Sequence, residues 1–142
     1  MPKQRLNPPA LPNWSESFSQ VVVTTTGSSR TIHISGQVSV DERNQIVGQG
    51  DLARQAEQAF ANLAAALRVA NATPADVVRL GVYIVDYRRD QAVVIQRALR
   101  TLFAGDQLPA STWLGVTSLA LEGLLIEVEA TAIVESRDPT PP

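Results

Sequence analysis

Hydrophobic and polar positions along this chain alternate or recur in stretches that predict five strands and two helices. Over residues 18–25, Val21-Val22-Val23 and the threonines have the β-branched character of a strand, and Gly27-Ser28-Ser29 supplies a turn. Residues 31–38 alternate, placing Ile32, Ile34 and Val38 on one face and His33, Ser35 and Gln37 on the other. A polar connection over 41–45 and a loop bracketed by Gly48 and Gly50 lead into the strongest periodicity of the chain. There Leu52, Ala56, Ala59, Phe60, Leu63, Leu67 and Ala70 recur every three or four residues over about five helical turns. Asp51 is placed to serve the free amides of the first turn, and Asn71 followed by Pro74 closes the far end.

A strand over 77–85 follows, with Val78, Leu80, Val82 and Ile84 facing one way and Arg79, Gly81 and Tyr83 the other. A second helix is predicted over 89–104, with Ala92, Ile95, Leu99, Leu102 and Phe103 as its stripe and Gly105 as its stop. Pro109 leads into a strand carrying Ser111, Thr112 and Trp113, and the stretch 124–134 then alternates so that Glu127 and Glu129 share one face. The order β-β-α-β-α-β-β predicts an α+β domain on a mixed sheet. Two helices are too few to cover both faces, so both are expected on one face, and the other is expected to meet a second copy of the chain.

Composition narrows the chemistry. A chain of 142 residues with 44% apolar side chains suits one domain over 1–142 with a real core. The prolines before Trp14 predict an extended surface arm over 1–14, and those after Ser136 a flexible tail over 136–142. No stretch looks like a secretory signal or a membrane span, so a cytoplasmic location without membrane contact is expected. The net charge of −2, with no basic run longer than Arg88-Arg89, argues against nucleic acid as partner. The absence of cysteine removes thiol nucleophiles and thiolate metal sites, and the single His33 argues against a histidine-based zinc site.

Glu127 and Glu129 are the carboxylates in a position to do acid–base work, beside a simpler reading in which each pairs with a basic residue at a subunit boundary. Ser111 and Thr112 offer hydroxyls to a ligand or to the backbone at the strand start. Trp113 is a packing residue or a flat wall for a ligand. A Ser–His nucleophile pair would have to use His33, on a strand distant in sequence. Gly36, in mid-strand, predicts a close approach by another group.

At Ile34-Ser35-Gly36-Gln37-Val38, the helix starting near Asp51, Val82-Tyr83-Ile84-Val85-Asp86, Leu108-Pro109-Ala110 and Ile126-Glu127-Val128-Glu129-Ala130, the chain resembles the Rid (YjgF-type) family of imine and enamine deaminases. The resemblance spans roughly residues 16–134. It implies a chorismate-mutase-like α+β fold, a homotrimer with three clefts between adjacent subunits, a small-molecule ligand and no cofactor. In the deaminase members a cleft arginine holds the substrate carboxylate and a glutamate helps to position the attacking water.

Carried over, the glutamate is Glu127 and the Ser-Gly pair is Ser35 and Gly36. The family's tyrosine near the first strand is Phe18, without a hydroxyl. The arginine two residues after the proline is Ser111, followed by Thr112, and a small or cysteine position two residues further on is Trp113. The chain thus resembles an arginine-lacking branch, and a substrate different from that of the arginine-bearing members is expected, because a serine hydroxyl does not replace a bidentate guanidinium. A non-catalytic small-ligand or regulatory module on the same scaffold is the alternative. The RNA cleavage ascribed to some relatives sits poorly with the acidic balance.

Overall fold

The computed structural model describes residues 2–136, so all of the expected tail except Ser136 lies outside the described residues. The elements are β1 (Lys3–Leu6), β2 (Val21–Thr26), β3 (Ser29–Val38), α1 (Leu52–Val69), β4 (Val77–Val85), α2 (Ala92–Leu102), β5 (Ala110–Val116) and β6 (Ile126–Glu135). They form one six-stranded mixed sheet in the order β1-β2-β3-β6-β4-β5, in which β4 and β5 are parallel and the other neighbours antiparallel. Both helices pack on the same face. The core between the layers is built from Ile32, Ile34, Leu80, Val82, Ile84, Ile126 and Val128 against Phe60, Leu63, Leu67 and Ile95.

The two-helix layer and the strands after the first follow the predicted pattern, and the differences have local causes. Lys3–Leu6 is an edge strand rather than a plain arm, because Gln4, Arg5 and Leu6 align with Val23, Val22 and Val21 of β2. β2 starts at Val21, not near Phe18, since the amides of Ser17 and Phe18 both donate to the carbonyl of Trp14 and curl that segment into a turn. The second helix proper begins at Ala92, after a 3-10 turn over Arg89–Gln91. β5 pairs with β4 on the side away from β6.

Two bulges correct the predicted faces. In β3, Ile34 pairs with Ala130 and Gln37 with Val128, so Ser35 and Gly36 together stand opposite Glu129. The extra residue reverses the alternation: Gln37, expected outside, is buried toward the helices, and Val38, expected beside Ile34, joins a separate cluster with Val40 and Leu124. In β4, Val77 pairs with Ala132 and Arg79 with Thr131, which leaves Val78 unpaired and exposed while Val77 is buried in its place.

Helix α1 carries the tie between the layers. The Asp51 carboxylate accepts from the amide of Arg54, as its position predicts. At the other end Asn71 adopts φ 55°, and the amides of Asn71 and Ala72 donate to the carbonyls of Arg68 and Leu67 in a Schellman arrangement. Along the buried stripe stand two amides that periodicity alone does not explain. Asn62 donates to the carbonyls of Val38 and Val40, both at 2.9 Å. Gln55 donates to the carbonyls of Gly48 and Gly123 and accepts from the amide of Leu125 at 2.9 Å. Together they hold the loops after β3 and before β6 onto the helix.

Replacing Gln55 with the similarly sized leucine leaves three partly buried backbone groups without this partner, and is expected to cost about 1–3 kcal/mol. Urea unfolding measures this; a variant within about 0.5 kcal/mol of wild type, the range of a neutral surface change, would mean that the amide ties nothing.

Candidate functional site

The face of the sheet away from the helices carries the chemistry. Glu127, Glu129 and Thr131 project from β6, Arg79, Gly81 and Tyr83 from β4, Thr112 and Leu114 from β5, and His33 from β3, in the alternation that buries Val128, Val82 and Ile32 on the other side. Glu127 lies where this face meets the loop before β6.

The β3 bulge makes room for Glu127. A Cβ added to Gly36 would fall 2.6 Å from its carboxyl carbon and from Oε1, so only glycine admits the side chain in this position. Ser35 anchors the bulge: its amide donates to the Gln20 carbonyl and its hydroxyl to the Ser19 carbonyl at 2.6 Å. Just inside, Gln37 donates to the Gln20 side chain, which donates in turn to the Pro12 carbonyl. The bulge is thereby fixed to the segment that presents Trp14 and Phe18, whose rings meet at 5.5 Å in a tilted contact.

Glu127 opens into a cavity of about 280 Å³ lined by Trp14, Phe18, Val38, Leu121 and Leu124. Its pKa is raised, first by partial burial among these apolar walls and second by the like charge of Glu129. Glu129 itself accepts the Tyr83 hydroxyl at 2.6 Å, and that bond, with some desolvation, raises the pKa of the tyrosine. Among the described residues the ion pairs are Arg54–Glu57 and Arg88–Asp90, so neither glutamate is neutralised by a basic partner.

The predicted residues fall into separate groups. Phe18, Gly36 and Glu127 come together, with Ser35 acting behind them on the backbone. Ser111, Thr112 and Trp113 do not share one wall. Ser111 and Trp113 pair in register with Leu80 and Val82 and face the helix side, where the Trp113 indole N–H donates to the Ser111 hydroxyl at 3.1 Å. They line a second cavity of about 220 Å³. Thr112 points the other way and accepts from Arg79 at 2.6 Å, in a third cavity of about 350 Å³ that also holds His33, Tyr83 and Glu129.

His33 and Ser111 therefore stand on opposite faces and form no nucleophile pair. Trp14, Leu121 and Tyr83 escape sequence reasoning as wall and partner residues, although the four-residue spacing of Trp14 and Phe18 is a signal for their turn. Among the described residues no group of three or more potential ligands could hold a metal ion, and no helix is long and apolar enough to cross a membrane.

Fold and site together define a small α+β protein whose uncovered sheet face carries a half-buried glutamate at a strand bulge. A profile of the endoribonuclease L-PSP family matches residues 10–134. A 2-iminobutanoate/2-iminopropanoate deaminase from Rattus norvegicus is 32% identical over 82% of this chain and 80% of its own length. One from Dermatophagoides farinae is 26% identical over 94% and 98%. A solved structure of a Rid-family protein of unknown function from Yersinia pestis is 39% identical, with TM-score 0.71 over 94% of this chain and all of its own. The chain belongs to the endoribonuclease L-PSP family, the Rid family of its solved relative.

Two outcomes check the site. Gly36→Ala is expected to push the flexible Glu127 carboxyl aside at a cost of no more than about 1 kcal/mol, the low end of overpacking, and Glu127→Ala in the same chain to recover most of that loss. Simple addition of the two effects in a denaturation cycle would deny the contact. The second concerns pH. A carboxyl whose folded pKa is raised keeps its proton in the folded state over a range where the unfolded chain has lost it, so stability falls as pH rises through that window and levels above it. Glu127→Gln lacks this fall, and its melting temperature relative to wild type is expected to climb between pH 4 and 7. A difference independent of pH would contradict the shift.

Proposed function

We propose that this protein is a Rid-type hydrolase acting on an imine, an enamine or a related C–N bond of a small metabolite, with Glu127 and water and without a cofactor. The observation that carries this reading is the Glu127 carboxylate, held by the Gly36 bulge at the mouth of an apolar cavity and raised in pKa. Relatives named as imine deaminases supply the reaction class. Ionised Glu127 accepts a proton from water as the oxygen adds to the imine carbon. On a protonated imine this gives a neutral carbinolamine. Glu127 returns its proton to the nitrogen, then takes the hydroxyl proton as the C=O bond forms and ammonia leaves, and passes it to the ammonia, which departs as ammonium. A raised pKa suits both roles, since it makes the carboxylate a stronger proton acceptor and better able to hold the proton in transit.

The remaining predicted residues enter the site through a second copy. Within one chain Ser111 and Trp113 face the helix side and Glu127 the opposite side, with β4 between their strands. A common cleft needs the Glu127 cavity of one subunit against the β5 edge of its neighbour, in the homotrimer that the family resemblance implies. The uncovered sheet face, with exposed Leu114 and Ile133 beside its polar groups, supports such an assembly.

The test is the release of 2-oxobutanoate from 2-iminobutanoate generated in situ by an amino-acid oxidase. Wild type is expected to exceed the uncatalysed rate, and Glu127→Gln to lose about a hundredfold, the scale of a general base. Equal rates for the two proteins would end the catalytic reading. A monomer by light scattering at micromolar concentration would end the two-copy cleft.

A further inference from the structure

The cavity between α2 and β5 contains a cation that the strand pattern does not reveal. Position 111, where the family resemblance places an arginine, is Ser111, but Arg100 of α2 lines the same cavity, one turn after Gln96 on the same helix face. Arg100 is exposed, forms no ion pair among the described residues, and donates to the Gly105 carbonyl in the turn after the helix. Most of its guanidinium N–H donors stay available. Because Ser111 accepts from the Trp113 indole, its own O–H is free to donate into the cavity. Among the described residues no acidic side chain lines this space, and Leu80, Leu99, Leu108, Pro109 and Trp113 make the rest of its wall apolar.

A guanidinium, a hydroxyl and the Gln96 amide around one apolar space match a small anion with an apolar body. We propose that Arg100, with Gln96 and Ser111, forms a carboxylate-binding subsite that takes over from helix α2 the role of an arginine on the strand. The ligand class is a small carboxylate bearing an alkyl or aromatic group that lies against Trp113. In the two-copy cleft this subsite would hold the carboxylate end of the substrate; that placement alone rests on the function proposed above. A bidentate guanidinium–carboxylate contact is charge-assisted, and the apolar walls screen it less than water does. The contact with Gly105 ties one nitrogen of the guanidinium to the turn after the helix.

The experiment titrates the full-length protein with 2-oxobutanoate, a stable oxo-acid probe, and follows the two indole N–H resonances by NMR. Trp113 reports on this cavity and Trp14 on that of Glu127. A saturable shift at Trp113 is expected, absent with the neutral ketone butan-2-one. Arg100→Gln is expected to raise the apparent Kd at least tenfold and Arg100→Lys to retain part of the affinity. Arg97→Gln, on the same helix but outside this cavity, should bind as wild type. Wild-type affinity in Arg100→Gln with its melting temperature preserved, a shift at Trp14 alone, or no saturable shift at all overturns the proposal.

The two readings fail separately. A chain that hydrolyses no imine yet binds 2-oxobutanoate through Arg100 keeps this subsite and loses only the proposed reaction. A chain that hydrolyses through Glu127 while Arg100→Gln leaves KM unchanged keeps the reaction and loses the placement of this subsite in the cleft.

Discussion

The close approach of the Glu127 side chain to Gly36 is the constraint on which the rest of the site depends. A strand normally presents a side chain at every second position, and that side chain would occupy the space the carboxyl fills here. The bulge and the glycine together open that space. The same extra residue turns Gln37 inward, where its amide joins Gln20 and through it the Pro12 carbonyl, so the proline-rich segment is tied to the site by buried hydrogen bonds. It also turns Val38 outward to become a wall of the glutamate's cavity. One inserted residue thus sets the position of the carboxyl and of the surface opposite it.

The remainder of the scaffold isolates that carboxyl without neutralising it. Gln55 and Asn62, buried on α1, bind the backbone of the loops on either side of Glu127, a rigid support with no formal charge. Glu129 is occupied by Tyr83 and acts on Glu127 only as a like charge. Apolar walls then keep water from fully solvating the carboxylate, and its proton affinity rises. A lysine or arginine among those walls would reverse the shift by favouring the ionised form. Arg79, beside Thr112, and Arg100, in the Ser111 cavity, line other cavities.

Much of this architecture is legible in the residues. The seven-position stripe from Leu52 to Ala70, the alternation of β6 and the small residues around Gly36 predict the helix, the shared face of the two glutamates and a close approach. What sequence reading misses are the register shifts, because Val77-Val78 and Ile34 to Val38 read as unbroken strands and Gly36, the local mark of the second, predicts only a close approach. It also treats Ser111, Thr112 and Trp113 as one group, although neighbours on a strand point to opposite faces. Arg100 escapes attention because on its own helix it is one polar residue among several.

Taken alone, the amino-acid sequence determined the layer architecture and the family and put Glu127 and Glu129 on one strand face, since these follow from periodicities and residue types that persist along the chain. The tertiary structure decided which face each group occupies, which cavity it enters and how readily it holds a proton. These depend on contacts between segments far apart in sequence: Gly36 with Glu127, Pro12 with Gln20, Gln55 with Leu125 and Arg100 with the cavity of Ser111. Register and desolvation are properties of such pairs of segments, and a pattern along one segment carries no record of its partner.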